Sequence, residues 1–149
     1  MEVLPSKEQV LEACRAVPRT THPVLDAAHQ LAGLHRQRLR AVPGRTGEID
    51  QHRARLVLTI DQWVAAEAPV PHGGAHLHTE TVGTVIDRIA QFSTHAYEIM
   101  LSAPNRAVHD AWERLAELAL GYQDLADDVS TGHRRLPDLG TPRNYPTGG

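Results

Sequence analysis

The sequence predicts an all-α protein: an antiparallel four-helix bundle with a short extra N-terminal helix and an extended C-terminal tail. Three observations lead there. Apolar residues recur at three- and four-residue steps over four long stretches, which puts them on one face of a helix. No stretch alternates apolar and polar residues in the manner of a half-buried strand. Apolar residues make up 41% of the chain but aromatics only 4%, so the core must be mainly Leu, Val, Ile and Ala, which suits closely packed helices. Short connections between the long stretches favour antiparallel neighbours.

Each element has its own punctuation. Pro5 and Ser6 open a short first helix with Val10, Leu11 and Cys14 as its apolar positions, and it ends before Pro18. The second helix starts near His22-Pro23, because a proline fits the first helical turn, where its missing N–H leaves no bond unmade. Val24, Leu25, Ala28, Leu31, Ala32, His35 and Leu39 mark its inner face, and Pro43-Gly44 breaks it. The third helix covers about residues 46–68, with Ile49, Leu56, Ile60, Trp63 and Val64 inward. Residues 69–78 form a linker rich in Pro, Gly and His. The fourth helix covers about 79–102 and stops at Pro104-Asn105; the fifth covers about 106–129. Val108, Trp112, Leu115, Leu118, Tyr122, Leu125 and Val129 give the fifth a seven-residue apolar repeat, and Gly132 stops it. Residues 1–132 are expected to form one domain. Residues 133–149, with Pro137, Pro142 and Pro146, are expected to be an extended or disordered tail.

Whole-chain properties exclude several classes. A chain of 149 residues is large enough to bury a core. A net charge of −3 argues against nonspecific nucleic-acid binding. The single cysteine, Cys14, rules out an intramolecular disulfide and sits in an apolar pattern as a small core residue. No apolar run follows a basic start, and none reaches the length of a membrane span. The expectation is a soluble, cytoplasmic protein that forms a homodimer, uses no cofactor and contacts neither membrane nor nucleic acid.

Residues 78–88, His-Thr-Glu-Thr-Val-Gly-Thr-Val-Ile-Asp-Arg, carry the clearest candidate site. Thr79 is the expected N-cap of the fourth helix, its hydroxyl accepting from a first-turn amide. Glu80 then falls where the helix dipole favours negative charge. Val82, Val85, Ile86, Ile89 and Phe92 form an apolar face. Glu80, Thr84, Asp87, Gln91 and Glu98 form a polar one that lacks the Lys/Glu alternation of a wet surface. Gly83 inside a helix costs about 1 kcal/mol relative to Ala, which points to a close approach by something.

Thr79-Glu80, Gly83 and Ile86-Asp87-Arg88 resemble the Thr-Glu-(Thr/Ser)-x-Gly-x-x-Ile-Asp-Arg signature of a bacterial family, the domain of unknown function 4254. His35 stands where that family carries a His near the end of a long helix. The segment from Ile49-Asp50 to Ile60-Asp61 is similar to its next helix. The resemblance spans roughly residues 22–102. Around His35 the chain departs from the family pattern of a preceding aromatic and following acids, reading Leu34-His35-Arg36-Gln37-Arg38. The resemblance implies a helical fold and a site, and no activity.

Other chemistries have thinner support. Ten histidines invite a metal-binding bundle, but di-iron bundles need Glu-x-x-His on two helices, and no Glu has a His three residues later. Asp26-x-x-His29, His95-x-x-Glu98 and the linker's His72, His76 and His78 are the remaining metal candidates. An Arg-x4–6-His ribonuclease spacing occurs three times (Arg15 with His22, Arg45 with His52, Arg88 with His95), which shows how little it selects. No nucleophile elbow or phosphate-cradling Gly loop occurs. Residues 35–55 carry six arginines, while the fifth helix is acidic. The two regions face each other or partner subunits, or the Arg-rich turn binds an anion.

The leading expectation is a polar small-molecule site between the second and fourth helices, acting by acid–base chemistry on an anionic molecule. Glu80 and His35 would handle the proton and Asp87 would orient. Arg88 would bind the anion, with Gly83, Thr79 and His78 completing the site. Two alternatives stand beside it. One is a non-catalytic interaction or scaffold protein in which these residues hold helices in register through buried ion pairs. The other is a metal-binding bundle.

Overall fold

The structure is a computed structural model that describes residues 3–137. Its described part is mostly helical: α1 (Lys7–Ala13), α2 (Pro23–Arg40), α3 (Gly47–Glu67), α4 (Val82–Ile99) and α5 (Asn105–Ser130), with two-residue strands β1 (His76–Leu77) and β2 (Arg134–Arg135). Among the described residues no helix is long and apolar enough to cross a membrane.

Local chemistry sets most of the boundaries. Ser6 caps α1 by accepting from Gln9 N, while the Gln9 side chain accepts from Ser6 N, a reciprocal capping box. His22 caps α2 through Nδ1, which accepts from Val24 N at 3.1 Å, and Pro23 follows in the first turn. Gly132 ends α5 at φ +78, the left-handed geometry that a glycine adopts without a Cβ clash.

α4 is the hub, because it packs against α1, α2, α3 and α5. Its Val82, Val85, Ile86, Ile89 and Ala90 are buried, and so are Ser93 and Thr94. The face expected to be polar grades from half-buried Thr84 and Asp87 to exposed Gln91 and Glu98. α5 contributes Leu115, Tyr122, Leu125 and Val129 to the core, with the small Ala111, Ala119 and Ala126 buried between them. α1 lies across this assembly. Tyr122 donates from its hydroxyl to Pro5 O at 2.7 Å, and Gln123 Oε1 accepts from Lys7 N at 2.9 Å.

Three expectations need correction. The cap of α4 is Thr81, two residues after Thr79: Thr81 Oγ1 accepts from Thr84 N at 3.2 Å. Leu39 points outward and is 54% exposed, since α2 has passed the end of the core by then. The third concerns strands, none of which was legible. β1 and β2 pair in parallel, His76 with Arg134 and Leu77 with Arg135. Backbone N–H groups of a linker take acceptors where the fold offers them. The linker finds them here: His72 N donates to Gly132 O at 2.9 Å and His78 N to Arg135 O at 2.7 Å. The expected tail from His133 therefore begins as a paired segment; residues 138–149 lie outside the described residues.

Candidate functional site

His35, Asp87 and Arg53 meet where α2, α4 and α3 converge. His35 sits on the buried stripe of α2 and is only 5% exposed. Asp87 lies about one and a half turns into α4, on the side that faces α2 and α3. His35 Nε2 and Asp87 Oδ1 are 2.8 Å apart. Arg53 reaches from α3 and donates to both Asp87 oxygens, NH2 to Oδ2 at 2.7 Å and Nε to Oδ1 at 3.3 Å. Arg53 also donates to Asp50 Oδ1, which in turn accepts from Arg38 Nε of α2 at 3.0 Å. The chain of charges thus runs from α2 through α3 to α4.

Burial alone would raise the Asp87 carboxyl, but the hydrogen bonds from His35 and Arg53 outweigh it and hold the group below the usual carboxylate range. An ionised carboxylate only accepts. The hydrogen shared with His35 therefore resides on Nε2, and whenever the ring is neutral Nδ1 carries its lone pair. Nδ1 makes no hydrogen bond among the described residues. The ring borders a cavity of about 250 Å³ between α2 and α4, together with Arg38, Leu39, Gln91, Phe92 and His95. This arrangement can exchange a proton at Nδ1, with Asp87 fixing the orientation of the ring.

Glu80 does not join this group. It precedes α4, because Thr81 is the cap, and both its oxygens are held by the two terminal nitrogens of Arg88. The expected Glu80–His35 pair is replaced by two separate pairs, Glu80–Arg88 and His35–Asp87. Gly83 does permit a close approach, but the neighbour is α3. A Cβ at Gly83 would stand 2.5 Å from Val57 O and 2.7 Å from Asp61 Oδ1, so no room for a ligand exists there. Exposed Thr79 and half-buried His78 lie outside the cavity beside His35, and His78 instead joins the linker to the segment after α5. Within the Arg-rich region, Arg38 and Arg53 pair with Asp50 and Arg53 also with Asp87 of α4, while Asp128 of α5 accepts from Arg134 at 2.9 Å.

Two residues of this region were not singled out from the sequence. Arg53 was counted only as one of a charged group; its spacing three residues after Asp50 was the available signal. Asp61 is the other. Its carboxylate accepts from Gly83 N at 2.7 Å and from the Thr81 side chain, at the start of α4. Burial raises its pKa above the ordinary carboxylate value, and those two hydrogen bonds only partly offset that. A lone acid in the apolar run from Leu56 to Val64 was its signal. Among the described residues no three His, Cys, Asp or Glu side chains come together as a metal-holding group. His72 packs its ring edgewise on His133 instead, 5.3 Å between centroids.

Fold and site together define a mostly helical protein whose second, third and fourth helices are tied by a His–Asp–Arg group in which His35 is buried and Asp87 and Arg53 are half-buried. The chain belongs to the family described as a protein of unknown function (DUF4254), whose model matches residues 24–137. The match includes all three members of that group and extends the signature of residues 79–88 through α5. No curated protein matches the chain. No solved structure matches it either.

Proposed function

We propose that the cavity between α2 and α4 binds a small anionic molecule and that His35 exchanges a proton with it through Nδ1. The observation that carries this reading is a buried imidazole beside a cavity, with one nitrogen fixed by an ionised carboxylate and the other without a hydrogen bond among the described residues. Asp87 orients the ring. Arg53 holds Asp87 and keeps it ionised. Arg38, bordering the same cavity, supplies positive charge at the rim. Protonated His35 would donate to the anion from Nδ1, and neutral His35 would accept a proton from a bound acid. Either step serves an acid–base enzyme or a binding module. The antiparallel order of a four-helix bundle, a homodimeric state and a cytoplasmic location belong to the same proposal; consecutive packing of α2 on α3, α3 on α4 and α4 on α5 supports the first.

A second reading has its own support. Arg53 binds Asp87 at two points, as a purely structural clamp would. In that reading the protein is a non-catalytic scaffold and the ion pairs set helix register. Thermal shift with inorganic phosphate, acetate and sugar phosphates separates the two. An anion that stabilises the wild-type protein but not a folded His35→Gln variant supports the site, because specific binding raises apparent stability by mass action. Absence of any shift, with His35→Gln melting well below wild type, favours the clamp.

A further inference from the structure

A cavity of about 560 Å³ lies away from His35, among the second half of α3, the residues that follow it, Thr81 and the segment after β2. Its volume falls in the range of small-molecule sites, which are mostly apolar with a few convergent polar groups. Leu58, Val64, Leu136 and Pro137 give it apolar walls, and Asp61, Arg134 and Arg135 border it. It shares no residue with the cavity at His35.

Its two arginines are incompletely used by the protein. Arg134 donates from one terminal nitrogen to Asp128, but its Nε is buried and has no acceptor among the described residues. Buried donors nearly always find a partner, so an unmet one beside a cavity marks where an outside acceptor fits after a small turn of the guanidinium. Arg135 is exposed and forms no side-chain ion pair among the described residues. Paired guanidinium donors match the planar oxygens of a carboxylate. Asp61 disfavours an anion near itself, which sets the direction in which such a molecule would lie.

We propose that this cavity is a second binding site, for an amphipathic carboxylic acid whose carboxylate is held by Arg134 and Arg135 and whose apolar body lies against Leu58, Val64 and Leu136. Calorimetric titration of the full chain with decanoate, decanol and decylammonium tests it. Decanoate is expected to bind saturably at one per chain and to bind more tightly than the other two. Arg135→Gln, at an exposed side chain that the fold does not need, is expected to weaken decanoate binding about tenfold, the effect of one lost charged contact. Ala65→Phe, which fills the cavity, is expected to abolish binding, and His35→Gln to leave it unchanged. Decanol or decylammonium binding as tightly as decanoate would overturn the proposal. So would an unchanged affinity in Arg135→Gln, or no saturable decanoate binding to the wild-type protein. Should Ala65→Phe fail to fold, Arg135→Gln alone decides.

Discussion

Replacing Gly83 by Ala is expected to destabilise the fold by about 2–4 kcal/mol. The added Cβ would stand 2.5 Å from Val57 O, 2.7 Å from Asp61 Oδ1 and 3.0 Å from Val57 Cγ1. The closest of these is helix backbone, which cannot swing aside as a side-chain tip can. α3 and α4 would have to part by roughly 1 Å to restore ordinary contact. Overpacking of this kind costs about 1–3 kcal/mol. Parting the helices also stretches the 2.7 Å bond from Gly83 N to Asp61. A hydrogen bond to a charged group contributes about 1.5–3 kcal/mol. Opposing both, Ala is the better helix former by at most about 1 kcal/mol. For a chain of this size the net loss lowers Tm by roughly 5–12 °C. Urea denaturation followed by far-UV circular dichroism reads the loss as a lower midpoint with unchanged slope. Gly121 supplies the control. It is exposed in α5 and a Cβ there meets nothing within 4 Å. Gly121→Ala is therefore expected to stabilise by about 1 kcal/mol, from propensity alone. A Gly83→Ala protein as stable as wild type, or more so, would refute the close contact between α3 and α4.

Four further outcomes follow from particular residues. Asp87 has a folded pKa below its unfolded value, so its contribution is complete above the ordinary carboxylate pKa of about 4 and is lost as pH falls through the folded value. Denaturation midpoints between neutral and strongly acidic pH should show this fall, and Asp87→Asn should flatten it. Asp61 acts with the opposite sign: its raised pKa means its contribution declines as pH rises through the acidic range. Burial pushes the Cys14 thiol up to about 12, so a thiol reagent at neutral pH should label native protein far more slowly than denatured protein; equal rates would contradict its burial. Tyr122→Phe removes the hydroxyl that donates to Pro5 O inside the core. It should cost about 1–3 kcal/mol, since it leaves a buried carbonyl unpaired, and should loosen α1, which proteolysis of the N-terminus would detect.

Much of the secondary structure was legible because helix signals are local. Periodic apolar positions, Ser6, Pro23, Pro43-Gly44 and Gly132 mark where helices begin and end, and each works through bonds within a few residues. The start of α4 was legible only to two residues. Thr79 and Thr81 are equally good caps in isolation, and the chain uses the one that lets Asp61 of α3 reach Gly83 N. The two-residue strands have no period to read, and they exist because the linker's amides meet carbonyls more than fifty residues away.

The candidate site divides in the same way. Composition and spacing selected Glu80, Gly83, Asp87 and Arg88 as residues that a plain packing helix has little use for, and the family resemblance added His35 on the apolar stripe of α2. Only the tertiary structure decided their partners. It gave His35 to Asp87 and Glu80 to Arg88, filled the space at Gly83 with α3, and brought Arg53 into the group. A sequence fixes which groups share a helix face through its 3.6-residue period. Which face meets which depends on how the helices cross, and that is set by the packing of the whole core.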